Sequence, residues 1–264
     1  MTAGRQRAFA ALYYAARGLE SAAAGLYHAA AGLMTHADLH AAITEEWRRF
    51  PSSEEPSDAS LFDWEKAFYE RFLERTDKIL LVGCGTGRDL IALLQCGHRV
   101  DGVDLVREAV VRARQRLAEH KFEGSVWVGD IETIELVERY DVFVFSWFCY
   151  AYIPESARRV RILKRLAEHL APEGRILISY VPTDKARRAI RVARLVARLT
   201  RSDWRPELGD SVAATGDSMS SVSFQHFFRT GDADAEAAAA GLRVLAQVPS
   251  DQVITMALAK PSLG

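Results

Sequence analysis

Three glycines at alternate positions, Gly83, Gly85 and Gly87, follow four apolar residues, Ile79 to Val82, and precede a helical spacing from Arg88 to Leu94. A buried strand, a glycine turn and a helix in that order form a ligand cradle at the carboxyl edge of a parallel sheet. Glycine suits the turn because a Cβ would stand where the ligand lies. Two carboxylates follow. Asp104 ends the segment HRVDGVDL, 17 residues beyond Gly87. A carboxylate there can accept hydrogen bonds from both ribose hydroxyls of an adenosine ligand, as in dinucleotide sites; its other use is as a helix N-cap. Asp130 lies in Gly129-Asp130-Ile131, which by itself is also good turn chemistry. The stretch Ser146-Trp147-Phe148-Cys149-Tyr150-Ala151-Tyr152-Ile153 is aromatic and suits a cationic or apolar ligand. For proton transfer the first candidate is His226, which titrates near neutrality, followed by Tyr150 and Tyr152. His226 also reads as an ordinary strand histidine.

The spacing G-x-G-x-G brings the third glycine one residue earlier than the dinucleotide fingerprint, which argues against a nicotinamide-dependent oxidoreductase. No Gly-Lys-Ser/Thr ending marks a P-loop. The segment VGCGTG resembles the first motif of the class I S-adenosylmethionine (SAM) dependent methyltransferases. The likeness runs roughly from Leu61 to Lys260. It includes the GVDL context of Asp104, the acid Asp130, the aromatic exit after the fourth strand, Leu170-Ala171-Pro172-Glu173-Gly174 before the fifth, and a terminal strand pair.

The resemblance implies SAM as cofactor. Gly83, Cys84, Gly85, Thr86 and Arg88 would lie along its methionine and ribose ends, with Gly87 setting how the helix leaves. Asp104 and Leu105 would hold the ribose. Asp130 would take the adenine amino group, with the Ile131 amide on a ring nitrogen. Ser146 and Trp147 would stand beside the methionine part; Trp147 reads equally as core. The fourth-strand exit lacks Asn/Asp-Pro-Pro-Tyr/Phe, which argues against DNA bases and amide nitrogens. The resemblance implies a small-molecule acceptor, with oxygen slightly ahead of nitrogen, and no metal is expected. The competing readings are an RNA methyltransferase using a basic helix and a non-catalytic SAM- or nucleotide-binding protein.

The elements that must position these residues read as α/β. A doubly wound, mostly parallel seven-stranded sheet is expected from Ile79–Val82, His98–Leu105, Ser125–Val128, Tyr140–Ser146, Arg175–Val181 and a final antiparallel pair, Leu242–Val248 and Gln252–Ala259. Helices are expected at Asp63–Arg75, Arg107–His120, Ser156–Leu170 and Asp232–Ala240 from their apolar spacing. Trp64 and Tyr69 on the first of these either face the site or pack as core. Thr183–Arg201 reads as a helix with a basic face, Trp204–Ser221 as a long loop suited to a lid, and Val222–Arg229 as a strand. The domains divide as a helical cap, 1–55, and a SAM-binding domain, 56–264, with an insertion at 182–222. Phe50–Ser60 is linker by its proline, serine and acid content.

Within the cap, leucines recur every seven residues at 12, 19, 26 and 33, with Phe9, Ala16, Ala23 and Ala30 three residues before them. This a/d pattern implies a helix–helix contact, inside the chain or in a homodimer.

The chain has 264 residues and a net charge of −1, so no global pull toward nucleic acid or anionic membrane exists. Its three cysteines are odd in number and lack C-x-x-C spacing, which fits a reducing cytoplasm and argues against zinc. Ser21–Ala37 carries no formal charge but is too short and polar for a membrane span.

Overall fold

A computed structural model describes residues 3–49, 61–184, 190–214, 222–250 and 252–261. The expected linker Phe50–Ser60 lies wholly outside them. Two helices open the chain, α1 (Ala3–Ala31) and α2 (His36–Arg49). Thr35 caps α2 reciprocally: its hydroxyl takes the Asp38 amide at 3.2 Å, and its own amide donates to Asp38 at 2.9 Å. Then follow α3 (Asp63–Phe72), β1 (Lys78–Val82), α4 (Arg88–Gln95), β2 (Arg99–Asp104), α5 (Arg107–His120), β3 (Val126–Val128) and β4 (Tyr140–Phe145). The second half contains α6 (Ser156–His169), β5 (Leu170–Tyr180), α7 (Ile190–Leu199), β6 (Asp210–Ala214), β7 (Val222–His226), α8 (Asp232–Ala239), β8 (Arg243–Ser250) and β9 (Val253–Ala259).

Seven strands form one sheet in the order β3-β2-β1-β4-β5-β9-β8. The first five are parallel; β9 runs antiparallel to both β5 and β8. The order reverses at β1, whose neighbours are β2 and β4, so a crevice opens at its carboxyl end. Side chains alternate across the sheet. Ile79 and Leu81 pack with Phe68, Leu90 and Val110 of α3, α4 and α5. Leu80 and Val82 pack on the opposite face with Ile162 and Leu166 of α6 and Ala233 of α8. Both faces are covered, which is why these strands read as unbroken apolar runs.

Three expectations change. The helix expected over Thr183–Arg201 is α7, Ile190–Leu199; Thr183 and Asp184 are not helical, and Lys185, Arg187 and Arg188 lie outside the described residues. Trp204–Ser221 is not one long loop. Residues Asp210–Ala214 form β6, paired antiparallel with β7 in a separate two-stranded sheet; 215–221 lie outside the description. Trp204 is fully buried in a third small core with Leu39 of α2 and Phe224 of β7. Strand β5 starts at Leu170 rather than Arg175, with a register shift opposite Tyr140 and Val142 that absorbs the Pro-Glu-Gly turn.

That third core fixes α2 over the sheet's carboxyl edge. The Ser202 hydroxyl donates to the Met34 carbonyl at 2.6 Å, and the His36 amide donates to Asp203 at 2.9 Å. The end of α1 docks on α7 so closely that a Cβ at Gly32 would lie 2.3 Å from the Ala193 carbonyl oxygen. Among the described residues no helix is long and apolar enough to cross a membrane.

Candidate active site

The turn from β1 into α4 is held down by the neighbouring strand: the Gly83 and Cys84 amides donate to the Val103 carbonyl at 2.8 and 3.2 Å. Gly83 has φ 72°, and a Cβ there would lie 2.8 Å from both Cβ and Sγ of Cys149. Gly85 has φ 53° with nothing within 4 Å of a Cβ position, because that side is open cavity. Both positions therefore demand glycine for conformation, one for packing as well and the other for ligand space.

At the end of β2, the Asp104 carboxylate accepts the Gly85 amide on one oxygen and the Val106 amide on the other, each at 2.8 Å. Burial raises its pKa; the Val106, Gly85 and Leu105 amides partly offset this. A carboxylate has about four acceptor sites, so these three amides leave acceptor capacity for an incoming donor. After β3, Asp130 accepts the Glu132 amide at 2.8 Å, and its second oxygen lies 3.7 Å from His40 Nε2 of α2.

Beyond β4 the chain turns through two non-glycine residues at positive φ, Trp147 at 27° and Phe148 at 58°. Such backbone strain is tolerated where surrounding structure imposes it, often at functional sites. Here Ser146 donates from its hydroxyl to Asp89 at 2.7 Å, and the Phe148 amide donates to the Ser179 hydroxyl at 3.2 Å. The 3-10 turn Cys149–Tyr152 follows.

These segments enclose a cavity of about 450 Å³. Lining it are Gly83, Cys84, Gly85, Thr86 and Arg88 from the first turn, Asp104 and Leu105 from the second, Asp130 and Ile131 from the third, and Ser146, Trp147 and Tyr152 from the fourth. Gly87 caps α4 and does not line it. Four further lining residues, Ile43, Thr44 and Trp47 of α2 and Phe62 ahead of α3, escaped the sequence reading. The only sequence signal was the i, i+4 pairing of Ile43 and Trp47, which marks an apolar helix face without saying what it covers. Trp47 meets Tyr152 edge-on at 5.0 Å and Phe62 meets Trp147 at 5.6 Å. Trp64 stacks on Phe148, and Tyr69 is core; neither lines the cavity.

Arg88 binds Glu65 at 2.6 Å and Asp89 at 2.5 Å through Nη2, and its guanidinium lies 4.5 Å from the Phe62 ring centroid. The adjacent Asp89 and Glu65 charges hold its pKa up against burial. Its Nη1 is buried with no hydrogen-bond partner among the described residues. The cavity thus holds a buried, unused cationic donor beside the glycine turn.

Two expected catalytic side chains do not reach the cavity. Tyr150 is fully buried and donates to Glu236 at 2.6 Å. His226 is buried with Nδ1 2.7 Å from Asp210. The reason is a buried network around Arg159, which binds Glu236 at 2.7 Å, Glu207 at 3.2 Å and the Ile153 carbonyl at 2.8 Å. The fold also brings together three metal-capable side chains that sequence spacing did not show, Glu207, Asp210 and His226, with ligand atoms within 4.8 Å. The Arg159 guanidinium beside Glu207 already supplies the positive charge a cation would bring.

Residues 79–174 match the family model of a methyltransferase domain. Over 96 residues the chain is 28% identical to the cypemycin N-terminal methyltransferase of a Streptomyces species, covering 36% of this chain and 38% of that protein. The curated relatives that the chain matches are covered over only 31% to 48% of their length. The fold matches the CcbJ methyltransferase of Streptomyces caelestis with TM-score 0.60 at 14% identity, over 83% of this chain and 96% of that one. It also matches the glycopeptide N-methyltransferase MtfA in complex with S-adenosyl-L-homocysteine, with TM-score 0.57 at 16% identity, over 80% and 92%. Residues 79–174 therefore resemble a methyltransferase domain, and the chain has the fold of solved methyltransferases.

Proposed function

We propose that the chain transfers a methyl group from SAM to a nitrogen of a small, largely apolar acceptor. The observation that carries this is the single cavity joining the glycine turn, Asp104, Asp130 and the aromatic exit of β4 under the aromatic cover of α2. The residues present fit the cofactor: Gly85 leaves open space, Asp104 keeps acceptor capacity for ribose hydroxyls, and Arg88 Nη1 is a free donor for an amino-acid carboxylate. Asp130 and the Ile131 amide would hold the adenine. When bound, SAM supplies a methyl group already activated on a sulfonium.

The chain's own part is orientation and exclusion of water. Trp47, Phe62, Trp147, Tyr152 and Ile153 give the remaining wall, which suits an apolar or aromatic acceptor. These five side chains include no carboxylate and no histidine. Burial, with the Glu46 charge second, pushes the Tyr152 phenol up to about 12, and burial raises the Cys149 thiol well above its ordinary value. An acceptor that brings its own lone pair is therefore favoured, and a neutral amine does so without losing a proton first. This reverses the preference for oxygen drawn from sequence, and it agrees with the nitrogen named for the glycopeptide N-methyltransferase.

The test is S-adenosylhomocysteine formation by the purified chain with SAM and a panel of hydrophobic amines, phenols and thiols. Amines should turn over fastest, and Trp47→Ala should raise the acceptor KM at least tenfold. Absence of S-adenosylhomocysteine binding would sink the cofactor assignment. Faster turnover of phenols would sink the acceptor assignment alone.

A further inference from the structure

We propose that α1 is a dimerisation arm that pairs with α1 of a second copy of this chain. The helix is 29 residues long, about 43 Å at 1.5 Å per residue. Its C-terminal end is anchored on α7 through Ala31 and Gly32, which are buried. From Gly4 to Ala22 nearly every residue is exposed. A helix containing Gly4, Gly18 and Gly25 would not hold this length on its own propensity, since each glycine costs about 1 kcal/mol relative to alanine.

The exposed side chains are not scattered. Leu12, Leu19 and Leu26 are each more than 70% exposed, and Phe9 is 69% exposed. Spaced by seven, the leucines form a single ridge along the helix. Every one of them has an alanine pair three and four residues later: Ala15 and Ala16, Ala22 and Ala23, Ala29 and Ala30. Those alanines lie one turn above each leucine on the same face, so the ridge alternates with shallow hollows. Ala31 and Gly32, which meet the body, lie on the opposite side of the helix. The ridge therefore points away from the rest of the chain.

A leucine ridge with alanine hollows at the same period is complementary to itself, which makes a second copy the fitting occupant. The area agrees. The leucines and Phe9 expose roughly 500 Å² per chain, so a pair would bury on the order of 1,000 Å², the threshold of a specific interface. The exposed Leu195 and Leu199 of α7, beside the α1 anchor, extend the apolar surface. A membrane surface fits less well. A helix lying on lipid carries a polar face rich in Lys and Arg, whereas the face opposite this ridge carries two arginines, Arg7 and Arg17, no lysine, and Tyr14, Ser21 and His28. Because α1 leads directly into α2, pairing would brace the helix that carries Trp47 over the cavity.

Sedimentation velocity on the full chain tests this independently of any methyl transfer. The wild type should sediment as a dimer at micromolar concentration. The variant Leu12→Lys/Leu19→Lys/Leu26→Lys should sediment as a monomer with its main thermal transition unchanged, because the ridge touches nothing in the body. Val137→Lys, at another exposed apolar residue, should remain a dimer. A wild type that stays monomeric, or a triple variant that stays dimeric, overturns the proposal. A monomer that co-sediments with phosphatidylserine vesicles overturns it in favour of a lipid surface.

Discussion

The carboxylate of Asp104 accepts the Gly85 amide at 2.8 Å, so the acid at the end of β2 also shapes the glycine turn at the end of β1. The proposed ribose acceptor and the loop support are the same side chain. Asp104→Ala should therefore remove both, lowering S-adenosylhomocysteine affinity at least a hundredfold, about 2.7 kcal/mol. Asp104→Asn keeps the shape and one acceptor oxygen, and should lose roughly tenfold. Isothermal titration calorimetry reads both. Equal affinity in Asp104→Ala and wild type would remove Asp104 from the site.

The same carboxylate sets a pH dependence. Burial raises its pKa above the ordinary 3.8 in the free protein, although the Val106, Gly85 and Leu105 amides pull it back. Accepting ribose hydroxyls favours the ionised form, so the bound state has the lower pKa. Affinity should be flat above the raised pKa and fall as pH drops through it. For the cofactor-free fold the sign is opposite. A raised folded pKa stabilises below 3.8, and that contribution is lost as pH rises through the raised value. The thermal shift caused by S-adenosylhomocysteine should thus grow with pH across this window, and the growth should vanish in Asp104→Asn.

Gly83 and Gly85 should fail differently. In Gly83→Ala the new Cβ meets Cys149 at 2.8 Å at a positive φ, which should cost about 2–4 kcal/mol from strain and overpacking. Gly83→Ala/Cys149→Gly removes both clashing atoms and should recover part of the lost Tm. Gly85→Ala has room in the empty protein, so only its φ of 53° is penalised. Its methyl stands in the cavity and should weaken S-adenosylhomocysteine binding more than it lowers Tm. Denaturant melts beside calorimetry separate the two.

The sheet was legible because its strands are apolar on both faces and its turns are punctuated by Gly83, Gly129 and Gly174. That the residues proposed to hold the cofactor line one cavity was legible for a related reason: they sit directly at strand ends, so sequence order nearly fixes their place. The cover was not. Trp47 reaches the cavity only because Leu39 is buried against Trp204 and Phe224, contacts more than 160 residues apart in sequence. Strand β6 was hidden because its residues are mostly polar or small, and only Val212 packs on the small core that includes Leu39 of α2. His226 and Tyr150 misled for one reason. Titratable side chains near a site attract catalytic readings, but Arg159 provides a buried partner network that sequence cannot show.

That network gives the last prediction. Tyr150 and Arg159 both bind Glu236, and Arg159 also holds the Ile153 carbonyl beside the cavity. Tyr150→Phe removes one hydrogen bond to a carboxylate that Arg159 still satisfies, so it should cost about 1–2 kcal/mol. Its kcat should stay within about threefold of wild type, because the hydroxyl faces α8 and not the acceptor wall. His226→Gln should behave alike. Arg159→Ala strands Glu236 in the core and should cost about 3–5 kcal/mol, with the acceptor KM rising as Ile153 loses its anchor. Urea melts and steady-state kinetics on the same preparations separate stability from catalysis. A hundredfold fall in kcat for Tyr150→Phe at unchanged stability would restore Tyr150 as a catalytic residue.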